Sequence, residues 1–543
     1  MKPQPPVTRT RMRALTSSRG TGAPADFGEA NTLAAALPLR LIKSDWTPWL
    51  ILGFGALLRL LFLGIKPPHF DEGINGWFVD QIVKNGFYNY DPTNYHGPLH
   101  FYVLLLSQTL FGRNVWALRL PVVCASIAAI YVTLKYEPFL GRTVSRIAAF
   151  AMAVSPGFVF FGRYSIHEVW LVLFSQLFVL GLFGLWKLGT NNYLWCVGMG
   201  LTGMILTKET YIIHLGCAAL AFPVLWISNL ITPLTDAKRA PQTWTYVDLC
   251  VVLAAGIFLI VFFYSGTFFN WPGLRGLYEA FAIWFQTGKN GNGHEKPWYY
   301  WLKVIGRYEI PVLAGLALCI FCQMFKNFAV RYLAIYGVGT LLAYSIVHYK
   351  TPWCIISIIW PFLFLFGAAT LIIPLRGRLV SYIIGGCMLA VSLGSTIWLN
   401  YFRCTTDTEP YVYVQTYNDI YKLSRPLLRA AKNNPVNYHL VGHIIRTSSY
   451  PIPWLLGDFD HVGYYERDSL PPKVDADFLL VQEDRIAEVE AKLQGSYFTE
   501  PLTLRAYQDP SKLYLSARTF RKFFPGQEPD FRGKSAGIQE TSP

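Results

Sequence analysis

Residues 46–86 decide the fold, and they read WTPWLILGFGALLRLLFLGIKPPHFDEGINGWFVDQIVKNG. The apolar run from Trp46 to Ile65 supplies about 20 residues, enough for a helix to cross the roughly 30 Å hydrocarbon core of a bilayer. Two adjacent carboxylates, Asp71 and Glu72, follow closely and open a segment whose apolar residues recur at helical spacing. The stretch therefore predicts a membrane span that leads into an acidic helix lying in the interface.

The composition of the whole chain agrees with a membrane protein. Of 543 residues, 53% are hydrophobic and only 15% are charged, whereas soluble domains carry about 25% charged residues. The net charge of +14 comes from Lys and Arg in short groups between apolar runs, which is typical of topology signals and argues against a nucleic acid partner. About eleven spans are predicted. They are Trp46–Ile65, 119–136, 146–162, 168–187, 191–207, 211–232, 248–265, 305–325, 330–347, 353–373 and 379–399.

One further apolar stretch, Pro98–Phe111, determines the orientation. It has about 14 residues, which favours an interfacial or re-entrant helix over a span. If it does not cross, nine Lys and Arg lie in cytoplasmic loops and three in short outer loops; if it crosses, the sides exchange. The nine are Arg142, Arg146, Lys187, Lys238, Arg239, Lys326, Arg331, Arg376 and Arg378, and the three are Arg163, Lys208 and Lys350. The long outer loop 266–304 adds four more Lys and Arg to the outer side, which weakens the charge difference between the two sides. We nevertheless predict a protein of the cytoplasmic membrane with a cytoplasmic N-terminus and a C-terminal region on the outer side.

Composition divides the chain into three parts. Residues 1–44 predict a disordered basic cytoplasmic tail. Residues 45–400 predict an α-helical transmembrane domain, with a first outer loop at 67–118 that carries interfacial helices and a large outer loop at 266–304. Residues 401–543 predict a small extracytoplasmic α/β domain whose strand and helix alternation is compatible with a parallel sheet. Its predicted strands are 411–416, 436–444 and 476–483, and its predicted helices are 418–432 and 483–493.

Ionisable residues gather on the predicted outer side. They are Asp71, Glu72, Arg119, Arg163, His167, Glu168, Lys208, Glu209, His294, Glu295, Lys296, His348 and Lys350. Each such group costs about 2.5 to 3.5 kcal/mol at membrane depth, so a shared polar cavity is the economical explanation. Simpler interpretations stay open, because acidic residues cap helix starts, Lys and Arg reach the interface, and Trp and Tyr form aromatic belts.

The sequence gives little support to a metal or a cofactor. The pairs His294-Glu295 and His167-Glu168 are adjacent rather than three or four apart, so neither presents two ligands on one helix face, and only converging loops leave a divalent metal open. The Cys319 and Cys322 pair falls inside an apolar run and indicates helix packing. No phosphate-binding glycine loop of the Walker type is present, which argues against a soluble nucleotide donor.

Taken in order, several short motifs resemble a known family. They are the Asp-Glu pair, GPLHFYVLL (97–105), RLP (119–121), GRYSIHE (162–168), LTKE (206–209), HEKPWYY (294–300), HYKTPW (348–353) and YVYVQT (411–416). They are similar to the GT-C membrane glycosyltransferases, among them the protein O-mannosyltransferases and the aminoarabinose transferase of lipid A. More narrowly, the chain resembles the flippase activity-associated proteins of microbial glycosylation clusters.

The resemblance implies transfer of a sugar from a polyprenyl-phosphate carrier to a protein, lipid or glycan acceptor at the outer face, with inversion. Asp71 matches the catalytic acid of the family and would act as general base, while Glu72 would support it or bind acceptor. Lys208, Arg163 and Lys350 would neutralise the leaving phosphate. The other implied substrate-binding residues are Arg119, Glu168, His294 and Tyr299.

Two other functions stay open at this point. A transporter or flippase-associated protein would move lipid-linked sugars without transfer chemistry, and it would place charge at the bilayer midplane. Arg59, inside the first predicted span, is the residue that favours this alternative. A scaffold without catalysis, whose C-terminal domain recruits partners, is the third interpretation.

Overall fold

The structure, a computed structural model, describes residues 45–94, 96–236, 239–290, 293–372, 377–467 and 469–534. The predicted basic tail at 1–44 and two of the nine topology residues, Lys238 and Arg376, lie outside the described residues. The part from Trp46 onward forms one compact unit.

Helices dominate the chain up to Ile397. They are α1 (Thr47–Leu60), α2 (Phe70–Asn85), α3 (Leu99–Phe111), α4 (Val115–Leu134), α5 (Glu137–Leu140), α6 (Arg142–Val154), α7 (Pro156–Phe161), α8 (Glu168–Lys187), α9 (Asn191–Ile205), α10 (Tyr211–Ile231), α11 (Tyr246–Tyr264), α12 (Gly273–Asn290), α13 (Tyr300–Tyr308), α14 (Ile310–Leu318), α15 (Phe328–Ile346), α16 (Ile355–Ile372) and α17 (Arg378–Ile397). Short 3-10 turns at Cys319–Met324 and Pro352–Cys354 extend α14 and precede α16.

Within the described ranges, seven helical segments are long and apolar enough to cross a membrane. They are Val115–Leu140, Glu168–Lys187, Tyr211–Ile231, Tyr246–Tyr264, Phe328–Ile346, Pro352–Leu371 and Arg378–Phe402. Helices α1, α3 and the segment Ile310–Met324 are apolar but shorter. The chain is thus a multi-pass membrane protein, as its composition predicted, while the count of eleven spans stays a prediction.

Two predicted spans are each built from two helices. Between α6 and α7, Ser155 precedes Pro156 and is extended (φ −67°, ψ 129°), since a proline disfavours helical backbone in the residue before it. Between α13 and α14, Glu309 also departs from helical geometry, with φ −112° and ψ 60°. Its buried carboxylate accepts hydrogen bonds from Ser155 Oγ at 2.7 Å and from the backbone N–H of Gly157 at 2.7 Å. The Glu309 carboxylate at one break thus provides hydrogen-bond acceptors for donor groups at the other.

Arg59 in α1 has a structural role. Its fully buried guanidinium donates to Ser126 Oγ and to the backbone carbonyls of Gly55, Met152 and Ala153. These bonds join α1 to α4 and α6. The arginine that favoured the transporter alternative is therefore fully occupied inside the helical core.

The C-terminal domain contains a six-stranded mixed sheet. Its elements are α18 (Ile420–Asn433), β1 (Gly442–Ile445), α19 (Ile452–Leu455), β2 (Val462–Tyr465), β3 (Phe478–Gln482), α20 (Ile486–Glu490), β4 (Ser496–Leu502), β5 (Ser511–Ser516), α21 (Ala517–Phe520) and β6 (Phe531–Arg532). The strand order is β2-β1-β3-β5-β4-β6, with parallel pairs at β2-β1-β3 and antiparallel pairs beyond β3.

The sequence predicted this domain in part. The strand predicted at 476–483 and the helix at 418–432 are confirmed by β3 and α18. The strand predicted at 411–416 is wrong, since that segment carries only the isolated bridge Thr416–Arg505. Of the strand predicted at 436–444, only its end forms β1, and the helix at 483–493 shortens to α20 after a 3-10 turn.

The domain packs directly on α2 through two glycines. A Cβ at Gly73 would stand 2.4 Å from Pro451 Cα, and one at Gly76 would stand 2.4 Å from Trp454 Cδ1. Neither position can therefore carry a side chain without displacing the domain. Helix α2 is consequently covered by protein on this face, and its location in the membrane interface stays a prediction.

Candidate active site

A cavity of about 200 Å³ opens beside the first turn of α2. Its wall includes the start of α2, the segments before α3 and α8, the turn between α9 and α10, helix α12, and the segment before α16. The charged or imidazole side chains in this wall are Asp71, His96, His167, Glu168, Lys208 and Glu209. The structure thus brings five of the thirteen ionisable residues of the sequence analysis to one cavity, namely Asp71, His167, Glu168, Lys208 and Glu209.

The start of α2 holds Asp71 at this cavity. His69 precedes the helix, and its Nδ1 accepts a hydrogen bond from the backbone N–H of Asp71 at 3.1 Å. Its Nε2 donates to the backbone carbonyl of Tyr413 at 2.7 Å. Burial lowers the pKa of His69, which keeps the ring neutral and able to cap the helix. The Asp71 carboxylate itself stays 29% exposed, so it can meet a substrate.

Glu72, the neighbouring carboxylate, points away from the cavity. It is fully buried and pairs with Arg119 through two bonds, Nε to Oε1 at 2.8 Å and Nη2 to Oε2 at 2.7 Å. It also accepts the backbone N–H of His69 at 2.8 Å and of Ser165 at 2.9 Å. Burial alone would raise the pKa of Glu72, but the Arg119 guanidinium and these bonds outweigh it and lower the pKa.

This pair favours the supporting role for Glu72 over acceptor binding and places Arg119 away from the cavity. Arg119 is fully buried, and its remaining N–H groups donate to the carbonyls of Leu63, Lys66 and Pro67. Neither Glu72 nor Arg119 lines the cavity, so direct contact of either with acceptor or donor does not fit the geometry. Their hydrogen bonds instead fix the start of α2, which carries Asp71.

Lys208 is the lysine that the structure brings to the cavity. Its ammonium pairs closely with the Glu168 carboxylate, and both side chains are nearly buried. Burial would lower the pKa of Lys208, but the carboxylates of Glu168 and Glu209 raise it well above its usual value. Lys208 therefore stays a cation at any physiological pH. Among the described cavity-lining residues, no other lysine and no arginine occurs.

The turn that bears Lys208 is held against the segment before α3. Gly97 N donates to the Thr207 carbonyl at 3.1 Å, and Leu99 N donates to the Leu206 carbonyl at 3.1 Å. A Cβ at Gly97 would stand 2.2 Å from the Leu206 carbonyl oxygen, so only glycine fits here. This contact explains why the HGPLH and LTKE motifs share the site: it brings His96 Nδ1 within 2.9 Å of Glu209 Oε2.

Two predicted phosphate-binding residues lie outside the cavity wall. Arg163 is almost fully buried, and its guanidinium donates to the carbonyls of Leu58 and Phe62 and to Tyr401. Lys350 is also buried, and its ammonium donates to the backbone carbonyls of Lys296, at 3.2 Å, and Val347. Because carbonyl groups already surround both cations, the structure does not bring them to a substrate phosphate.

The HEKPWYY and HYKTPW motifs pair with each other. Lys350 N donates to the His294 carbonyl at 3.1 Å, and Lys296 N donates to the His348 carbonyl at 3.3 Å. His294 Nδ1 lies 2.5 Å from the Tyr413 hydroxyl and does not line the cavity, and Tyr299 is 48% exposed outside it. Within HYKTPW, Tyr349, Thr351 and Trp353 line the cavity, whereas no residue of HEKPWYY does.

The sequence analysis missed several residues of the site. His69 has no partner at helical spacing that would single it out, and its role depends on the distant Tyr413 carbonyl. His96 lies in a loop, although its place one residue before the GPLH motif is a signal that could have found it. The other missed cavity-lining residues include Asn75, Asn94, Trp284, Tyr344, Thr351 and Trp353.

One group of side chains in the described ranges is arranged so that three ligand atoms could hold a metal ion. It consists of His439, Asp460 and His461, which are exposed on the C-terminal domain and lie outside the cavity wall. The two imidazoles lie 2.7 and 2.8 Å from the Asp460 carboxylate. The expectation that the reaction needs no cofactor stays a prediction.

Comparison with known sequences supports the resemblance that the motifs indicate. Residues 95–264 match the family described as dolichyl-phosphate-mannose-protein mannosyltransferase. A stretch of 133 residues, 22% of the chain, is 26% identical to the Bacillus subtilis protein named "Putative mannosyltransferase YkcB". The match spans only 19% of the length of YkcB.

Comparison with solved structures concerns the whole fold. The chain superposes on ArnT from Cupriavidus metallidurans bound to undecaprenyl phosphate with a TM-score of 0.60 at 14% sequence identity, covering 87% of this chain and 98% of ArnT. The apo state of the same protein gives the same TM-score of 0.60 over 86% and 97% of the two chains. The narrower resemblance to flippase activity-associated proteins stays a prediction. The chain shares the fold of ArnT, and this fold together with the family match over residues 95–264 fits the GT-C resemblance predicted from its motifs.

Proposed function

We propose that the protein transfers a sugar from a polyprenyl-phosphate-linked donor to an acceptor at the outer face of the cytoplasmic membrane. The observation that carries the proposal is the cavity that brings the Asp71 carboxylate and the Lys208 ammonium together. The fold supports the donor class, because the structure of ArnT was solved with undecaprenyl phosphate. The sequence match to a dolichyl-phosphate-mannose-dependent family points the same way.

Asp71 is the proposed general base. Its carboxylate is partly exposed at the cavity, and its backbone is fixed by His69 and by the buried junction of Glu72. It would accept the proton of an acceptor hydroxyl while that oxygen attacks the anomeric carbon. Positioned proton transfer of this kind contributes on the order of 10²- to 10⁴-fold. Because a single displacement from the face opposite the phosphate needs no second nucleophile, we expect inversion of configuration.

Lys208 is the proposed partner of the leaving lipid phosphate. As the C–O bond breaks, negative charge grows on the phosphate, and a fixed cation in a partly desolvated wall stabilises it. Glu168 holds the ammonium in position and keeps it charged. Glu168 therefore acts in the proposal as the orienting partner of Lys208 rather than as a second base.

The location of the site supports the outer face. The cavity, α2 and the C-terminal domain all lie beyond the end of α1, since Gln415 Nε2 donates to the Pro67 carbonyl and His69 to that of Tyr413. With the cytoplasmic N-terminus that the sequence predicts, this end of α1 would be outside. Cysteine labelling of intact cells at positions 71 and 294, but not 142, is the expected result.

A transfer assay tests the function. Purified protein is supplied with a polyprenyl-phosphate sugar and candidate acceptors, and the glycosylated product is quantified together with its anomeric configuration. We expect Asp71→Asn to lower the rate by about 10²-fold or more, because the amide cannot accept the proton. Glu295→Gln is the matched control, since Glu295 is an exposed carboxylate outside the cavity wall, and it should retain activity.

The same preparation separates the transporter alternative. In proteoliposomes, a transporter would move the lipid-linked sugar across the bilayer without forming a new glycosidic bond. Full transfer activity in Asp71→Asn would contradict the assignment of the base. Translocation without any glycosylated product from a panel of hydroxyl acceptors would contradict the transferase itself.

A further inference from the structure

A second, larger concavity lies between the end of α1 and the C-terminal domain. This basic groove has a volume of about 750 Å³ and shares no lining residue with the cavity of Asp71. Its wall combines Gly64 and Ile65, which follow α1, with one face of α18 and two phenylalanines, Phe523 and Phe524. The proposed transfer reaction uses none of these residues, so the groove calls for its own explanation.

The charge of the basic groove is strongly positive. Lys422, Arg425 and Arg429 recur at positions i, i+3 and i+7 of α18, a spacing that places them on one helix face. Against these three cations the wall contains one carboxylate, Glu500. A face of this kind attracts an anion and concentrates it near the protein surface.

The three cations differ in how far they are already occupied. Lys422 Nζ donates to the Pro501 carbonyl at 2.8 Å and pairs with Asp419 at 3.2 Å. The exposed Arg425 lies over the Tyr421 ring at 4.7 Å and lines the groove, and stacking on a ring leaves the guanidinium edge free to bind an anion. Arg429 is exposed and has no ion-pair partner within the residues that the structure describes. The two arginines are therefore the groups available for an anion.

The neighbouring end of α1 indicates where the groove lies relative to the membrane. Leu61, Phe62 and Ile65 are 42%, 69% and 42% exposed at the end of an apolar helix, and such side chains in a membrane protein contact lipid. Arg425 and Arg429 line the same groove as Ile65. A phosphate bound there would lie beside the lipid-facing end of α1, where anionic headgroups are found.

We propose that the basic groove binds the phosphodiester headgroup of an anionic phospholipid of the surrounding bilayer. Arg425 and Arg429 bind the phosphate oxygens, and Ile65 with the phenylalanines contacts the adjoining glycerol and acyl region. The bound lipid fixes the C-terminal domain against the membrane surface beside α1. This inference does not depend on the proposed sugar transfer.

Lipid binding by the purified full chain tests the inference. The protein in neutral detergent is titrated with phosphatidylglycerol or phosphatidylcholine, and bound lipids are counted by native mass spectrometry. We expect a clear preference for phosphatidylglycerol. The double variant R425A/R429A should bind it about 30-fold more weakly, the loss expected for two cations at an anionic lipid surface. R425K/R429K, which keeps both charges, should retain the preference.

Controls make the result decisive. K473A/K492A removes two exposed cations of the same domain outside the groove and should bind phosphatidylglycerol like the unaltered chain. Equal binding of the two lipids, unchanged binding by R425A/R429A, or loss of the preference in R425K/R429K would overturn the proposal. Displacement of phosphatidylglycerol by millimolar glycerol 3-phosphate or inorganic phosphate would identify a site for free phosphate and would also overturn it.

Discussion

Replacement of Glu72 by alanine should destabilise the protein far more than replacement of its neighbour Asp71. Glu72 accepts four hydrogen bonds while fully buried, two from Arg119 at 2.8 and 2.7 Å and one each from the backbone of His69 and Ser165. Removing it leaves a buried guanidinium without a counter-charge, and breaking such a pair costs about 3 to 5 kcal/mol of unfolding free energy. Asp71→Asn removes only a partly exposed charge and should leave stability nearly unchanged.

Thermal unfolding of the detergent-purified chain, followed by tryptophan fluorescence, measures this difference. Sugar transfer well below the unfolding midpoint is measured in parallel. We expect a much lower midpoint and low activity for Glu72→Ala, but a normal midpoint and low activity for Asp71→Asn. Glu137→Ala is the matched control, because Glu137 pairs with Arg142 at 2.9 Å on the surface, where such pairs contribute little. If Glu72→Ala unfolds at the unaltered midpoint, the role assigned to the buried junction is refuted.

Three further predictions follow from single positions. Lys208→Met should abolish transfer and also lower the unfolding midpoint, since the Glu168 carboxylate stays buried without its partner, whereas Lys208→Arg should retain most of the stability. Gly97→Ala should cost about 1 to 3 kcal/mol of unfolding free energy and reduce transfer, because its Cβ would stand 2.2 Å from the Leu206 carbonyl oxygen. Gly86→Ala is the control for backbone strain, since no atom lies within 4 Å of its Cβ but its φ is +82°. Burial and the nearby Arg119 lower the pKa of Lys66 from 10.5 to about 7. Between those pH values the unfolded chain binds a proton that the folded chain does not, so the free energy of unfolding should rise with pH. The unfolding midpoint should therefore be higher at pH 9.5 than at pH 7.5 in the unaltered chain, and the two midpoints should converge in Lys66→Met.

The helical architecture could be predicted because apolar length is a local property. The long apolar runs and the helix at 98–111 were readable from composition alone. The breaks at Ser155 and Glu309 were harder to predict. Pro156 gave a local signal for the first, but the carboxylate that satisfies it lies 152 to 154 residues away in sequence.

The motifs that form the candidate site could be predicted from the sequence, but not which of their charged residues line the cavity and which are buried. Only the resemblance of the LTKE motif favoured Lys208, which lines the cavity, over Lys350, whose ammonium donates to two backbone carbonyls; no local property of the sequence separates the two lysines. The contrast between Asp71 and Glu72 was accessible in principle. Adjacent residues of a helix point about 100° apart, and Glu72 shares the buried face with Val79 and Ile82.

Tyr413 has a practical consequence for building chimeras. Its carbonyl accepts the His69 ring N–H, and its hydroxyl contacts His294. The connector after α17 therefore supports both the start of α2 and the HEKPWYY segment. Gln415 extends this attachment to the Pro67 carbonyl. A graft that joins the membrane portion of one relative to the soluble portion of another should therefore keep residues up to 417 with the membrane portion. A junction at residue 400 would replace the groups that contact His69, His294 and Pro67.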